Sequence, residues 1–164
     1  MGVMFIFTVK LLLLAALCGY TSYWDIKEKK VPNIATVTVM AAGILIAGVQ
    51  WRLALMDAGL GMLLFLPLIL VGLARMGDAK LCAAAAALVG FTSAGLGAWL
   101  GTVICALWLT FTEARRRRLG AWLAGHVAAL GQLRAGCKPV GRYIPFAPFF
   151  AAGMVLALVW RWWA

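Results

Sequence analysis

The architecture of this chain can be inferred from one run, residues 5–25, which reads FIFTVKLLLLAALCGYTSYWD. The run contains a single charged residue, Lys10, before it reaches Asp25, and about 20 apolar residues are enough for a helix to cross a bilayer. Asp25 thus follows a predicted transmembrane helix. Because an ionisable group at membrane depth is costly, such a residue is a functional candidate by default.

The composition extends this interpretation to the whole chain. Hydrophobic residues make up 65% of the 164 residues and charged residues only 12%, whereas a soluble domain is roughly half apolar and a quarter charged. The apolar runs are continuous rather than alternating, which favours helices. We therefore predict one all-α polytopic membrane domain, residues 1–164, with about six transmembrane helices, at about 5–24, 34–50, 56–74, 78–91, 96–111 and 145–160.

The net charge of +10 is concentrated in three segments between the predicted helices, at 27–30, 75–80 and 115–142. Six spans place all three segments on one side of the membrane. The positive-inside rule then makes that side cytoplasmic and puts both termini outside. The rule accounts for the charge, and because no nucleic-acid motif is present, we expect no nucleic-acid partner.

The segment 112–142 is the largest polar region of the chain and begins with four arginines at 115–118. Apolar residues follow at helical spacing, which is typical of a helix that lies on the membrane surface. A solvated basic loop fits equally well, so this segment is predicted to be a cytoplasmic loop that contains either an interfacial helix or no regular structure.

The predicted topology brings two acidic residues, Asp25 and Asp78, to the same side of the membrane. A pair of carboxyl groups can divide the acid and base steps of hydrolysis between them. Each residue also has an ordinary explanation, since Asp78 could cap the helix that it precedes and Asp25 could pair with nearby lysines in solvent. Asp57 is predicted on the opposite side and cannot join the pair.

Three motifs distributed along the chain resemble those of the prepilin peptidase (type IV leader peptidase) family. They are Asp25 followed by Pro32-Asn33, then Gly77-Asp78-Ala79-Lys80, then the stretch IPFAPF at 144–149. The resemblance implies catalytic roles for Asp25 and Asp78, with motif support from Gly77, Lys80, Pro32, Asn33, Pro145, Phe146 and Pro148. Lys80 is expected to extend toward lipid phosphates. The alternative role for Lys80 is to hold Asp78 in its charged form.

The same resemblance implies the activity. The expected protein is an intramembrane aspartyl endopeptidase of the bacterial inner membrane. It removes the leader peptide from prepilins or pseudopilins at the cytoplasmic face. Its expected partners are the leader peptide, the apolar helix of the substrate and the lipid bilayer. We expect it to need no metal and no cofactor.

Two positions depart from the family pattern, because Arg75 and Ala147 each stand where a glycine is usual. The chain also lacks the Cys-rich domain of the longer, methylating members. We therefore expect the short form without methyltransferase activity, which resembles the tight-adherence (Flp) pilus branch. Two other classes stay open: a non-catalytic scaffold subunit of a pilus or secretion system, and a small proton-coupled transporter.

Overall fold

The computed structural model describes residues 2–70, 74–116, 120, 124 and 144–163. This part of the chain is helical and contains no strand, which confirms the predicted all-α class. A 3-10 turn, Gly48–Gln50, leads into the third of the six α-helices found in the described residues. The helices are α1 (Gly2–Glu28), α2 (Asn33–Ile46), α3 (Trp51–Leu70), α4 (Met76–Val89), α5 (Phe91–Arg115) and α6 (Ala147–Trp163).

The helices differ in length and in the surface that they expose. Three of them, α1, α3 and α5, contain segments long and apolar enough to cross a membrane, and α2 and α6 are shorter apolar helices. Large apolar side chains cover the outside of the bundle, such as Leu12, Leu45 and Leu107, which are 66%, 80% and 65% exposed. Such a surface fits lipid rather than water as the surrounding solvent.

Helix α4 lies at the centre of the bundle. Nine of the ten residues at 79–88 are buried, all except Lys80, and five of them form the run Ala83-Ala84-Ala85-Ala86-Ala87. Small side chains let neighbouring backbones approach closely. A Cβ added to Gly43 of α2 would lie 2.9 Å from the Ala87 carbonyl, and one added to Gly61 of α3 would lie 3.0 Å from the Ala86 Cβ. The alanine run therefore allows α2 and α3 to pack directly on α4.

Helices α5 and α6 form another close pair, which depends on glycines. Gly97 and Gly101 lie one turn apart on α5 and face Gly153 of α6. A Cβ added to Gly101 would lie 2.7 Å from the Phe149 carbonyl oxygen, and one added to Gly153 would lie 2.9 Å from the Gly101 Cα. This is the small-residue packing that membrane helices commonly use.

Two predicted helix ends near the acidic residues were wrong. Helix α1 continues past Asp25 and ends at Glu28, because no helix breaker occurs before Pro32. The next residue, Lys29, has a φ of 57° and is no longer helical. Helix α4 begins at Met76 rather than at Asp78 or Ala79. Asp25 therefore lies in the last turn of one helix and Asp78 in the first turn of another.

The turn between α4 and α5 also differs from the prediction. The chain reverses at Gly90, not at the expected 92–95, which belongs to α5. Gly90 has a φ of 89°, which is unfavourable for residues that carry a Cβ. At the other end, α5 extends to Arg115, so the predicted loop at 112–142 starts later than expected. Most of that loop, including its predicted interfacial helix, lies outside the described residues.

Candidate active site

Asp25 is the most deeply buried acidic residue in the described part of the chain, with 3% of its surface exposed. Its Oδ2 accepts a hydrogen bond from the backbone N–H of Ala147, at 3.0 Å. Ala147 begins α6, where the free N–H groups and the helix dipole favour a negative charge. This contact provides a polar partner for a carboxylate that is otherwise removed from water, and it joins the first and last helices of the bundle.

Asp78 is half-buried in the first turn of α4. Its Oδ2 accepts a hydrogen bond from the backbone N–H of Arg75, the residue that precedes the helix, at 3.0 Å. An acidic residue at the third helical position that bonds back in this way is half of a capping box. The predicted capping role is therefore real, but it occupies one carboxylate oxygen and does not exclude a chemical role.

The structure brings Asp25 and Asp78 into the same region of the bundle, although 53 positions separate them in sequence. The two carboxyl groups are close enough for their negative charges to repel each other. Asp57 instead lies at the far end of α4, near Gly90. The structure thus separates Asp57 from the other two aspartates, as predicted.

The connection between α1 and α2 packs against the start of α4 through two residues of the second motif. Gly77 faces Val31, because a Cβ on Gly77 would lie 3.1 Å from the Val31 Cγ2. Arg75 donates from Nη1 to the backbone oxygen of Lys29, at 3.4 Å. The arginine that departs from the family pattern therefore adds a contact between the two connections, while its backbone N–H still caps α4.

Lys80 joins the first and second motifs directly. Lys80 lies two residues after Asp78 on α4, and its Nζ donates to Oδ1 of Asn33 at 2.9 Å. This contact replaces the expected approach of Lys80 to lipid phosphates. Pro32 occupies the N-cap position of α2, and Asn33 is the first helical residue. Its amide is thus free to accept from Lys80, which explains how the Pro-Asn pair and the lysine act together.

The third motif places an aromatic cluster beside Asp25. Pro145 and Phe146 precede α6, and the Phe146 ring lies 5.8 Å from that of Phe65 on α3 and 6.1 Å from that of Phe150. Pro148 is the second residue of α6, where a missing N–H costs little. These residues fix the position at which α6 begins and therefore the direction of the Ala147 N–H. Because that donor belongs to the backbone, alanine supplies it as well as glycine would.

Ser22, which lies one turn before Asp25 on α1, was not among the predicted site residues. Its hydroxyl oxygen is buried and has no hydrogen-bond partner among the described residues. The neighbouring Thr21 is buried too, but its hydroxyl donates to the Leu17 carbonyl at 2.7 Å. Spacing of three residues from Asp25 is the only sequence signal that could have indicated Ser22.

The described residues contain no group of three or more His, Cys, Asp or Glu side chains that could hold a metal ion. The polar groups nearest to Asp25 and Asp78 include the backbone donors at Ala147 and Arg75 and the Ser22 hydroxyl. Two adjacent carboxyl groups can act as the acid and the base for a single water molecule.

Comparison with known proteins agrees with this arrangement. Residues 12–160 match the family model of the type IV leader peptidases, so the match includes all three motifs. No curated protein and no solved structure matches the chain. With the match covering most of its length, the chain belongs to the type IV leader peptidase family, whose members are membrane-embedded aspartic endopeptidases that cleave the leader peptides of prepilins.

Proposed function

We propose that Asp25 and Asp78 are the catalytic pair of this peptidase. The observation that carries the proposal is that the two carboxyl groups lie at one end of the bundle, near enough for their charges to interact, and that each accepts a backbone hydrogen bond. A carboxylate and a carboxylic acid side by side are sufficient for peptide hydrolysis.

The reaction needs one shared proton. Two carboxyl groups that repel each other resist ionising together, so one of them keeps a proton. The ionised group takes a proton from water, and the water oxygen bonds to the carbonyl carbon of the scissile peptide. The other group gives its proton to the carbonyl oxygen. When the tetrahedral intermediate collapses, the C–N bond breaks and the amine nitrogen receives a proton from the pair. A hydroxyl group of the intermediate becomes the carbonyl of the new carboxyl group and returns its proton to the pair. The reaction consumes one water molecule and restores both side chains.

The surroundings assign supporting roles to the other motif residues. The Ala147 N–H holds the Asp25 carboxylate in place, and Gly77 lets the α1–α2 connection approach α4. The Lys80 to Asn33 hydrogen bond connects α4, which carries Asp78, to α2, which follows Asp25. These residues are positioning residues, since they act on the pair and not on the substrate.

The orientation also belongs to the proposal. The end that carries Asp25 and Asp78 carries Lys27, Lys29 and Arg75 as well, and this excess of positive charge supports a cytoplasmic site in a bacterial inner membrane with both termini outside. The substrate is then a prepilin or pseudopilin whose apolar helix shares the bilayer with the enzyme and whose leader lies at the cytoplasmic face. Assignment to the short, tight-adherence branch rests on the sequence resemblance.

The test is co-expression with a candidate prepilin, followed by a gel that separates the precursor from the shortened product. Asp25→Asn and Asp78→Asn should each abolish cleavage while the protein still inserts into the membrane. Glu28→Gln is the matched control, because Glu28 is an exposed acid on α1 one turn beyond Asp25, and it should process the precursor at the wild-type rate. Cleavage by either Asp→Asn variant at the wild-type rate would disprove the aspartyl assignment.

A further inference from the structure

A second polar region lies at the opposite end of the bundle from Asp25 and Asp78. A cavity of about 400 Å³ is lined there by residues of α1, α3, α5 and α6 and by the α4–α5 turn. It includes Lys10, which is fifteen positions before Asp25 on α1, a separation of about 22 Å at 1.5 Å per residue. The volume is within the roughly 300–1,000 Å³ of ordinary small-molecule sites. This cavity takes no part in the proposed hydrolysis.

Three charged side chains from three helices line this cavity: Lys10 from α1, Asp57 from α3 and Arg161 from α6. Arg161 donates from Nη1 to the Ser93 hydroxyl at 2.6 Å, and this hydrogen bond holds its guanidinium group in place. Neither Lys10 nor Asp57 forms a hydrogen bond or an ion pair with another described residue, although both are half-buried. Half-buried charges without partners are costly, which indicates that a ligand supplies the partners.

The position of the cavity indicates where such a ligand would come from. Several tryptophans surround this end of the bundle, and Trp160, Trp162 and Trp163 are 69%, 79% and 86% exposed. Exposed tryptophans of membrane proteins concentrate at the level of the lipid headgroups. The cavity therefore lies at the depth of a phosphodiester group and its substituent.

The charges define the ligand further. Two cations would suit a simple anion, but a carboxylate in the same cavity would repel it. We propose that the cavity binds a zwitterionic aminoalkyl phosphate, such as the headgroup of phosphatidylethanolamine, with its phosphate on Lys10 and Arg161 and its ammonium group on Asp57. Both a membrane lipid and a soluble aminoalkyl phosphate carry this chemistry, and the headgroup depth of the cavity favours the lipid.

The test is native mass spectrometry of the full chain in detergent, titrated with one lipid at a time. A hydrogen bond between charged groups is worth roughly a ten- to hundredfold change in affinity. We therefore expect phosphatidylethanolamine to bind at least about tenfold more tightly than phosphatidylglycerol, which carries phosphate but no amine. Asp57→Asn should remove this preference, and Lys10→Gln and Arg161→Gln should weaken both lipids. A titration with soluble phosphoethanolamine distinguishes the sources, since binding as tight as that of the lipid would identify a soluble ligand.

The matched control is Arg52→Gln. Arg52 is an exposed arginine at the same end of the bundle, stacked 5.5 Å over the Trp51 ring and not part of the cavity lining, so its loss should change neither affinity. Size-exclusion profiles identify variants that misfold, and the more conservative Lys10→Arg should retain binding. Equal affinity for the two lipids in the wild-type protein, or an unchanged preference in Asp57→Asn, would overturn the proposal. A fall in affinity with Arg52→Gln as large as that with Arg161→Gln would overturn it too, because general surface charge would then account for binding.

Discussion

The close packing of α5 on α6 can be tested with a single methyl group, by the substitution Gly153→Ala. The added Cβ would overlap the Gly97 carbonyl oxygen and would lie 2.9 Å from the Gly101 Cα. These atoms belong to the backbone of α5 and cannot rotate away as a flexible side chain would. Helices α5 and α6 must therefore move apart, and the close backbone contact between their glycines is lost.

The expected loss of stability follows from two opposing contributions. Overpacking a close contact costs about 1–3 kcal/mol, and we take the upper part of this range because both surfaces are backbone. Alanine is favoured over glycine inside a helix by roughly 0.5–1 kcal/mol, which offsets part of the cost. The net decrease in the free energy of unfolding is then about 2 kcal/mol, or about 4–8 °C in the unfolding temperature of a chain of this size.

The measurement is thermal unfolding in detergent micelles, followed by tryptophan fluorescence. Gly59→Ala on α3 is the control, because a Cβ there meets nothing within 4 Å, and its unfolding temperature should stay the same or rise slightly. Because α6 carries the Ala147 N–H that binds Asp25, Gly153→Ala should also slow cleavage at temperatures where the protein remains folded. An unfolding temperature for Gly153→Ala at or above that of the wild type would refute the packing argument.

Three further variants test the contacts between the motifs and the predicted topology. Lys80→Met removes the hydrogen bond to Asn33, so it should lower the free energy of unfolding by about 0.5–1.5 kcal/mol and slow cleavage. The control is Lys30→Met on the exposed α1–α2 connection, which should change neither quantity. Equal effects of the two substitutions would contradict a specific contact of Lys80. Arg75→Gly restores the glycine of the family pattern and removes the long side-chain hydrogen bond to Lys29, so the cleavage rate should stay within about twofold of wild type. Loss of cleavage would show that the guanidinium group is needed. In a variant that retains Cys137 as its only cysteine, an impermeant thiol reagent should not label Cys137 in intact cells but should label it once the membrane is opened. Labelling of Cys137 in intact cells would show that the orientation is the reverse of the one proposed.

The sequence was sufficient for the features that depend on hydrophobicity and charge. Apolar length and the distribution of lysine and arginine put Asp25 and Asp78 at one end of the bundle and Asp57 at the other, and the structure agrees. Helix ends were less predictable, because an end is set by the first residue that breaks the helix. Pro32, not Asp25, determines where α1 must stop, and the positive φ at Gly90 sets the turn after α4.

Contacts between distant segments could not be predicted from one sequence. The pattern suggested that Lys80 reaches lipid because its long side chain lies at a helix end, but the backbone arrangement brings it to Asn33 instead. The alanine run at 83–87 is consistent with any membrane helix, and only the packing of α2, α3 and α5 around it reveals a helix that is buried on all sides. Likewise, the Ala147 N–H is a backbone donor, which no residue pattern can indicate.

The brevity of α4 has a consequence for the membrane itself. Its 14 residues extend about 21 Å, and α2 is equally short, whereas the hydrocarbon layer of a bilayer is about 30 Å thick. Asp78 lies in the first turn of α4, at one end of this short helix. Less protein therefore separates Asp78 from the nearer aqueous phase than if α4 crossed the whole bilayer. The bilayer must thin locally, or water must enter above the helix end, to meet this hydrophobic mismatch. The supply of water to the two aspartates is therefore coupled to the length of the surrounding acyl chains, and lipids with longer chains should slow the enzyme without contacting its active site.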